Sequence, residues 1–117
     1  MSYEIRFVLV VAIQPGQLDN FRLVAHDLIA ATQTEEGTLS YEYNLSEDNT
    51  ACHIYERYVN SAALLTHIQS FGKFAERFLQ TCRPVRLEVY GYPSEEARAV
   101  LADFKPTYFP HLAGFSR

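Results

Sequence analysis

The chain has 117 residues, 48% of them hydrophobic and 14% aromatic, with 8 Tyr, 8 Phe and no Trp. These values fit one globular domain and exclude a disordered, collagen-like or low-complexity chain. A net charge of −4 and a pI of about 5.5 argue against nucleic acid or an anionic membrane surface as the partner.

Residues 3–13 read as a β-strand in which Phe7, Leu9 and Val11 point one way and Val8, Val10 and Ala12 the other. The apolar run at 7–13 is far shorter than the roughly 20 residues that cross a bilayer. It has no basic leader and no small-residue cleavage site, so a signal peptide is not expected. Pro15-Gly16 ends the strand. From 17 to about 33, Leu18, Phe21, Ala25, Leu28, Ile29 and Thr32 recur at helical spacing, and Gly37 closes the segment after Glu35-Glu36. Residues 38–45 alternate, with Leu39, Tyr41, Tyr43 and Leu45 on one face. Glu47-Asp48-Asn49 reads as a hairpin turn into a strand over about 50–59. There, Cys52, Ile54, Glu56 and Tyr58 share one face, and His53, Tyr55, Arg57 and Val59 the other.

Asn60 or Ser61 caps the next helix, which carries Ala62, Ala63, Leu64, Leu65, His67 and Ile68. A break at 70–72 precedes a second helical stripe of Phe74, Ala75, Phe78, Leu79 and Cys82, stopped by Arg83-Pro84. A fourth strand spans 85–92, with Val85, Leu87 and Val89 on one face. Pro93-Ser94-Glu95-Glu96 opens a short helix to about Asp103, and an aromatic tail follows. Tyr108, Phe109, Leu112 and Phe115 are expected to dock that tail rather than leave it free. The two cysteines, Cys52 and Cys82, form no CxxC pair and read as buried thiols of a cytoplasmic protein. No His spacing suits a metal.

The order β-α-β-β-α-β describes a single α+β domain over 1–117. Its ferredoxin-like core spans about 3–92, with helices on one face of the sheet and a C-terminal extension over 93–117. The first strand is apolar on both faces, so the face away from the helices also needs cover. A second copy of the chain is the simplest cover, giving a homodimer; the C-terminal tail is the other candidate.

One ordered set of motifs carries a resemblance. Ile13-Gln14-Pro15-Gly16 ends the first strand, and Glu36-Gly37 leads into the strand bearing Tyr41 and Tyr43. Then come Tyr55-Glu56-Arg57-Tyr58, Asn60 to Leu64, and His67. Over about 7–79 the chain resembles the antibiotic biosynthesis monooxygenase family, which includes small quinol monooxygenases. The resemblance implies a dimeric α+β barrel that oxidises electron-rich phenols or quinols with O₂, without metal or organic cofactor. A heme-degrading branch of the fold relies on a Trp. This chain has none and carries Tyr58 where that Trp often stands, which argues against heme chemistry.

Cofactor-free oxygenation needs a base near neutral pKa, donors for a substrate oxygen, and a dry pocket. On the resemblance, His67 is the candidate base, with Tyr43 and Glu56 as its catalytic companions. Tyr41, Tyr58, Leu64, Phe71 and Phe74 are the candidate substrate-binding residues for a small aromatic molecule. Glu56 is placed to orient His67 or to pair with Arg57 or Arg86. Two rivals stand beside the monooxygenase: a non-catalytic small-molecule-binding or stress-associated protein on the same scaffold, and an isomerase or lyase using His67 without O₂.

Overall fold

The computed structural model describes residues 3–117. Its elements are β1 (Ile5–Ile13), α1 (Leu18–Thr32), β2 (Thr38–Leu45), β3 (Ala51–Tyr58), α2 (Ser61–Phe71), α3 (Ala75–Leu79), β4 (Cys82–Tyr90), α4 (Glu95–Leu101), a 3-10 turn (Ala102–Phe104) and β5 (Thr107–Phe109). The strand order is β2-β3-β1-β4-β5. β1 lies between β3 and β4 and runs antiparallel to both, β2 is antiparallel to β3, and β5 runs parallel to β4. The first four strands therefore form the expected ferredoxin-like sheet, with the helices on one face.

Alternation in β1 puts Ile5, Phe7, Leu9 and Val11 into the core beneath the helices. Their neighbours across the sheet are Ile54 and Cys52 on β3, and Leu87 and Val89 on β4. The helix α1 closes over them with Phe21, Val24, Ala25, Leu28 and Thr32, a stripe at 3–4-residue spacing. Each fully buried aliphatic or aromatic side chain here contributes roughly 1.5–3 kcal/mol. Asn60 caps α2 by accepting from the Ala63 backbone N–H at 2.9 Å, and Ser94 caps α4 through the Ala97 N–H at 3.1 Å.

Three expectations are corrected. Leu39 does not join the inward face of β2: a bulge between Thr38 and Ser40 turns it outward, 48% exposed. Cys82 is the first residue of β4, not part of a helical stripe, because β1 extends to Ile13 and pairs with it. Pro84 therefore lies inside a strand. It is tolerated because the β1–β4 ladder is broken beside it, where Val85 bulges outward instead of sharing a face with Leu87 and Val89.

The tail docks only in part. Tyr108 packs against the core, and Phe109 stacks on Tyr90 with ring centroids 5.3 Å apart. Leu112 and Phe115 are 96% and 83% exposed. Among the described residues no helix is long and apolar enough to cross a membrane.

One close approach sets the geometry on the helical side. A Cβ on Gly37 would lie 2.6 Å from the Ala63 Cβ, so only glycine lets this loop press against α2. Gly37→Ala should cost about 1–3 kcal/mol in urea unfolding. Adding Ala63→Gly removes the clash, so the double variant should be more stable than the sum of the two single changes predicts.

Candidate active site

The face of β3 that looks toward the helices carries Cys52, Ile54, Glu56 and Tyr58, all buried. Glu56 is thus a carboxyl group placed by strand alternation inside an apolar layer. On α2, Leu64 and His67 are the two buried residues, one turn apart, and they point at that layer. From β2, Tyr41 and Tyr43 reach the same region with their hydroxyls 2.7 Å apart.

His67 is 2% exposed and stands between two carboxyl groups. Its Nδ1 lies 3.0 Å from Glu35 Oε1, and its Nε2 lies 3.4 Å from Glu56 Oε1. Tyr58 donates its hydroxyl to the same Glu56 oxygen. Glu35 Oε1 also accepts from Thr38 Oγ1 at 3.2 Å, whereas Glu35 Oε2 is buried with no hydrogen-bond partner among the described residues. Glu35 comes from the loop that Gly37 presses against α2. Ala63, which Gly37 meets, lies one helical turn before His67. The tight packing at Gly37 and the Glu35–His67 contact are thus parts of one arrangement.

Burial dominates the acid–base behaviour. It pushes the Glu56 carboxyl up to about 8, with the nearby Glu35 adding to the rise and the Tyr58 hydrogen bond opposing it. Burial lowers His67, and Glu35 opposes that shift. Tyr41, Tyr43 and Tyr58 are all raised, chiefly by burial, so the three phenols stay protonated and serve as donors. With its Nδ1 held by Glu35, a neutral His67 carries its hydrogen there and turns the Nε2 lone pair toward Glu56.

The cluster borders an apolar cavity of about 60 Å³. Tyr41, Tyr43, Glu56, His67 and Phe71 line it, together with core residues of the sheet and with Leu101 and Phe104 from the extension. Tyr41 packs over the His67 ring at 4.9 Å between centroids. Of the residues singled out from the sequence, the fold brings His67, Glu56, Tyr41, Tyr43 and Phe71 to one cavity. Tyr58 lies behind it, bound to Glu56, while Leu64 and Phe74 pack in or against the core without lining it. Glu56 pairs with neither arginine: Arg57 bonds Glu4 and Arg86 bonds Glu88. Sequence reasoning missed Glu35. Two adjacent acids before a glycine look like a solvated turn, and nothing local says which one turns inward.

Among the described residues, no group of three or more His, Cys, Asp or Glu side chains is arranged to hold a metal ion. Cys52 and Cys82 are free and buried, and burial raises both thiols, to about 11 and about 12. Neither thiol is poised as a nucleophile.

Residues 5–84 match the model of the antibiotic biosynthesis monooxygenase family. The chain belongs to this family. No curated protein matches the sequence. Among solved structures, MupZ from Pseudomonas fluorescens is 26% identical with a TM-score of 0.89, and the match covers 99% of this chain and 96% of that one. A Caulobacter crescentus protein described as a candidate antibiotic biosynthesis monooxygenase is also 26% identical, with a TM-score of 0.69 over 75% of this chain and 88% of that one. SnoaB, a cofactor-independent oxygenase from Streptomyces nogalater, shares the fold at 12% identity and a TM-score of 0.68, covering 80% of this chain and 96% of that one. The likeness to MupZ runs through the C-terminal extension, which the family model does not include.

The raised Glu56 carboxyl has a signature in stability. Its folded value of about 8 lies above its ordinary 4.5, so its contribution is full below about pH 4.5 and is lost as pH rises through about 8. His67, lowered from 6.5, acts in the opposite sense and weakens the fold as pH falls below that value. The thermal midpoint of Glu56→Gln should therefore lose less between pH 5 and pH 8.5 than that of the unaltered protein. Parallel curves for the two proteins would contradict the assignment.

Proposed function

We propose that this protein is a cofactor-independent monooxygenase acting on a small phenolic or quinol-like molecule. One observation carries the reading. A buried imidazole, fixed at Nδ1 by Glu35, presents Nε2 to Glu56 at the wall of an apolar cavity. That is the equipment for taking a proton from a weakly acidic substrate where water does not compete. In the Tyr41–Tyr43 hydroxyl pair one hydroxyl donates to the other, which leaves one O–H as a donor for the oxygen that becomes negative.

In this reading, His67 Nε2 removes a proton from the bound quinol. The electron-rich anion passes one electron to O₂, and the resulting radicals combine at a ring carbon. Loss of water then leaves a hydroxyquinone. One oxygen atom is kept in the product and the other departs as water. The substrate provides all four electrons, so the balance requires no external reductant. Glu56, protonated up to about pH 8, is close enough to Nε2 to donate its proton there, and takes one back only after it has given its own away.

A second reading draws on the same cluster. Glu35, His67, Glu56 and Tyr58 form a chain of proton-carrying groups, which suits an isomerase or lyase that moves protons without O₂. An oxygen electrode separates the two. With hydroquinone as substrate, O₂ uptake should fall at least a hundredfold in His67→Ala. An unchanged rate removes His67 from the mechanism. Deuterium exchange into substrate under nitrogen, with no uptake in air, favours the proton-transfer reading.

The working unit in this proposal is a cytoplasmic homodimer. Val8 and Tyr55 pair on the sheet face away from the helices and are half-buried, Val10 on that face is 4% exposed, and the tail runs beside β4 before its last residues border Arg6 and Arg57 at one end of the face. Light scattering should give twice the chain mass. Val8→Glu, which puts a charge on that face, should shift the protein to the monomer while leaving its helical content intact. A monomeric starting protein would defeat this part of the proposal.

A further inference from the structure

Part of the cavity wall comes from residues outside the family match. Leu101, at the end of α4, and Phe104, in the 3-10 turn, line the same space as Glu56 and His67. The segment that carries them is tied at both ends. At its start, the Ser94 backbone N–H donates to Ser61 Oγ at 2.9 Å, joining α4 to the beginning of α2. Along its length, Ala97 and Leu101 are 0% and 1% exposed. Beyond it, β5 pairs with β4, and the Arg98 guanidinium sits 3.7 Å over the Tyr108 ring. A segment held this way is a fixed wall, not a flap.

The wall limits what can enter. A cavity of about 150 Å³ accommodates one benzene ring. The space here is about 60 Å³. Phe71 and Phe104 are the half-buried phenylalanines of the lining, so a single ring is admitted at their expense while the buried residues stay in place. Room for a fused three-ring system requires more: the Phe104 ring must be absent, because Leu101 beside it in the lining is 1% exposed and held in the core.

We propose that Leu101 and Phe104 are specificity-determining residues that restrict this site to substrates no wider than a single ring carrying a hydroxyl or carbonyl oxygen. This rests on the site assigned above and narrows its substrate class, excluding the fused polycyclic phenols that family resemblance alone admits.

The test is binding under nitrogen, by calorimetry, with hydroquinone as the single-ring probe and anthrone as the fused one. The unaltered protein should bind hydroquinone saturably and anthrone at least tenfold more weakly. Phe104→Ala should narrow that gap to within about twofold. Phe104→Leu, a milder change that keeps a side chain in the packing, should narrow it partly and guards against loss of fold in the alanine variant. Equal affinity for the two probes in the unaltered protein, an unchanged ratio in both variants, or binding of neither probe overturns the proposal. With no O₂ present, the result does not depend on oxygenase turnover, so failure of the wall and failure of the monooxygenase reading are separate outcomes.

Discussion

Two carboxyl groups and an imidazole share a space from which water is nearly excluded, and the rest of the site is arranged around that fact. Charged groups in such a place are costly unless they are paired or change protonation state. Here both remedies operate. Glu56 holds its proton up to about pH 8, while His67 is fastened to Glu35. Tyr58 binds the Glu56 oxygen from behind, which fixes the carboxyl without filling the cavity. The cluster is destabilising by ordinary packing criteria and useful for proton transfer for the same reason.

Holding these groups together takes backbone features of modest size. The missing Cβ at Gly37 lets the α1–β2 loop approach α2, and that loop carries Glu35. A bulge immediately afterwards turns Leu39 outward before Tyr41 and Tyr43 resume the inward face. The second bulge, at Val85, shifts the parity of β4 so that Leu87 and Val89 return to the core beside β1. Each irregularity lies where a strand must change its facing to serve the cavity, which is where bulges do mechanical work in sheets. The C-terminal extension completes the enclosure from the other direction, through two side chains that a search of the first 84 residues would never reach.

Much of the architecture is legible from local pattern. Period-two alternation in β1, β2 and β3 identifies the strands and assigns Glu56, Tyr41 and Tyr43 to faces, because side-chain direction in an unbulged stretch of strand follows parity. The helical stripe from Phe21 to Thr32 and the Asn60 cap are read just as directly, since their causes lie within a few residues. Family resemblance, carried by an ordered set of short motifs, then points to His67.

What the sequence determined alone was therefore the order of elements, the inward faces of regular strands and helices, and the residue types available for acid–base work. Only the tertiary structure decided which acid meets His67, that Glu56 ignores both neighbouring arginines, that Cys82 and Pro84 belong to a strand, and that residues near 101–104 wall the cavity. The physical reason is range. Alternation and capping act over one to four residues, whereas the Glu35–His67 contact spans 32 positions and exists only once a loop, a helix and a sheet have packed together. Burial, which shifts Glu56 and sizes the cavity, is a property of that packing and of no single stretch of chain.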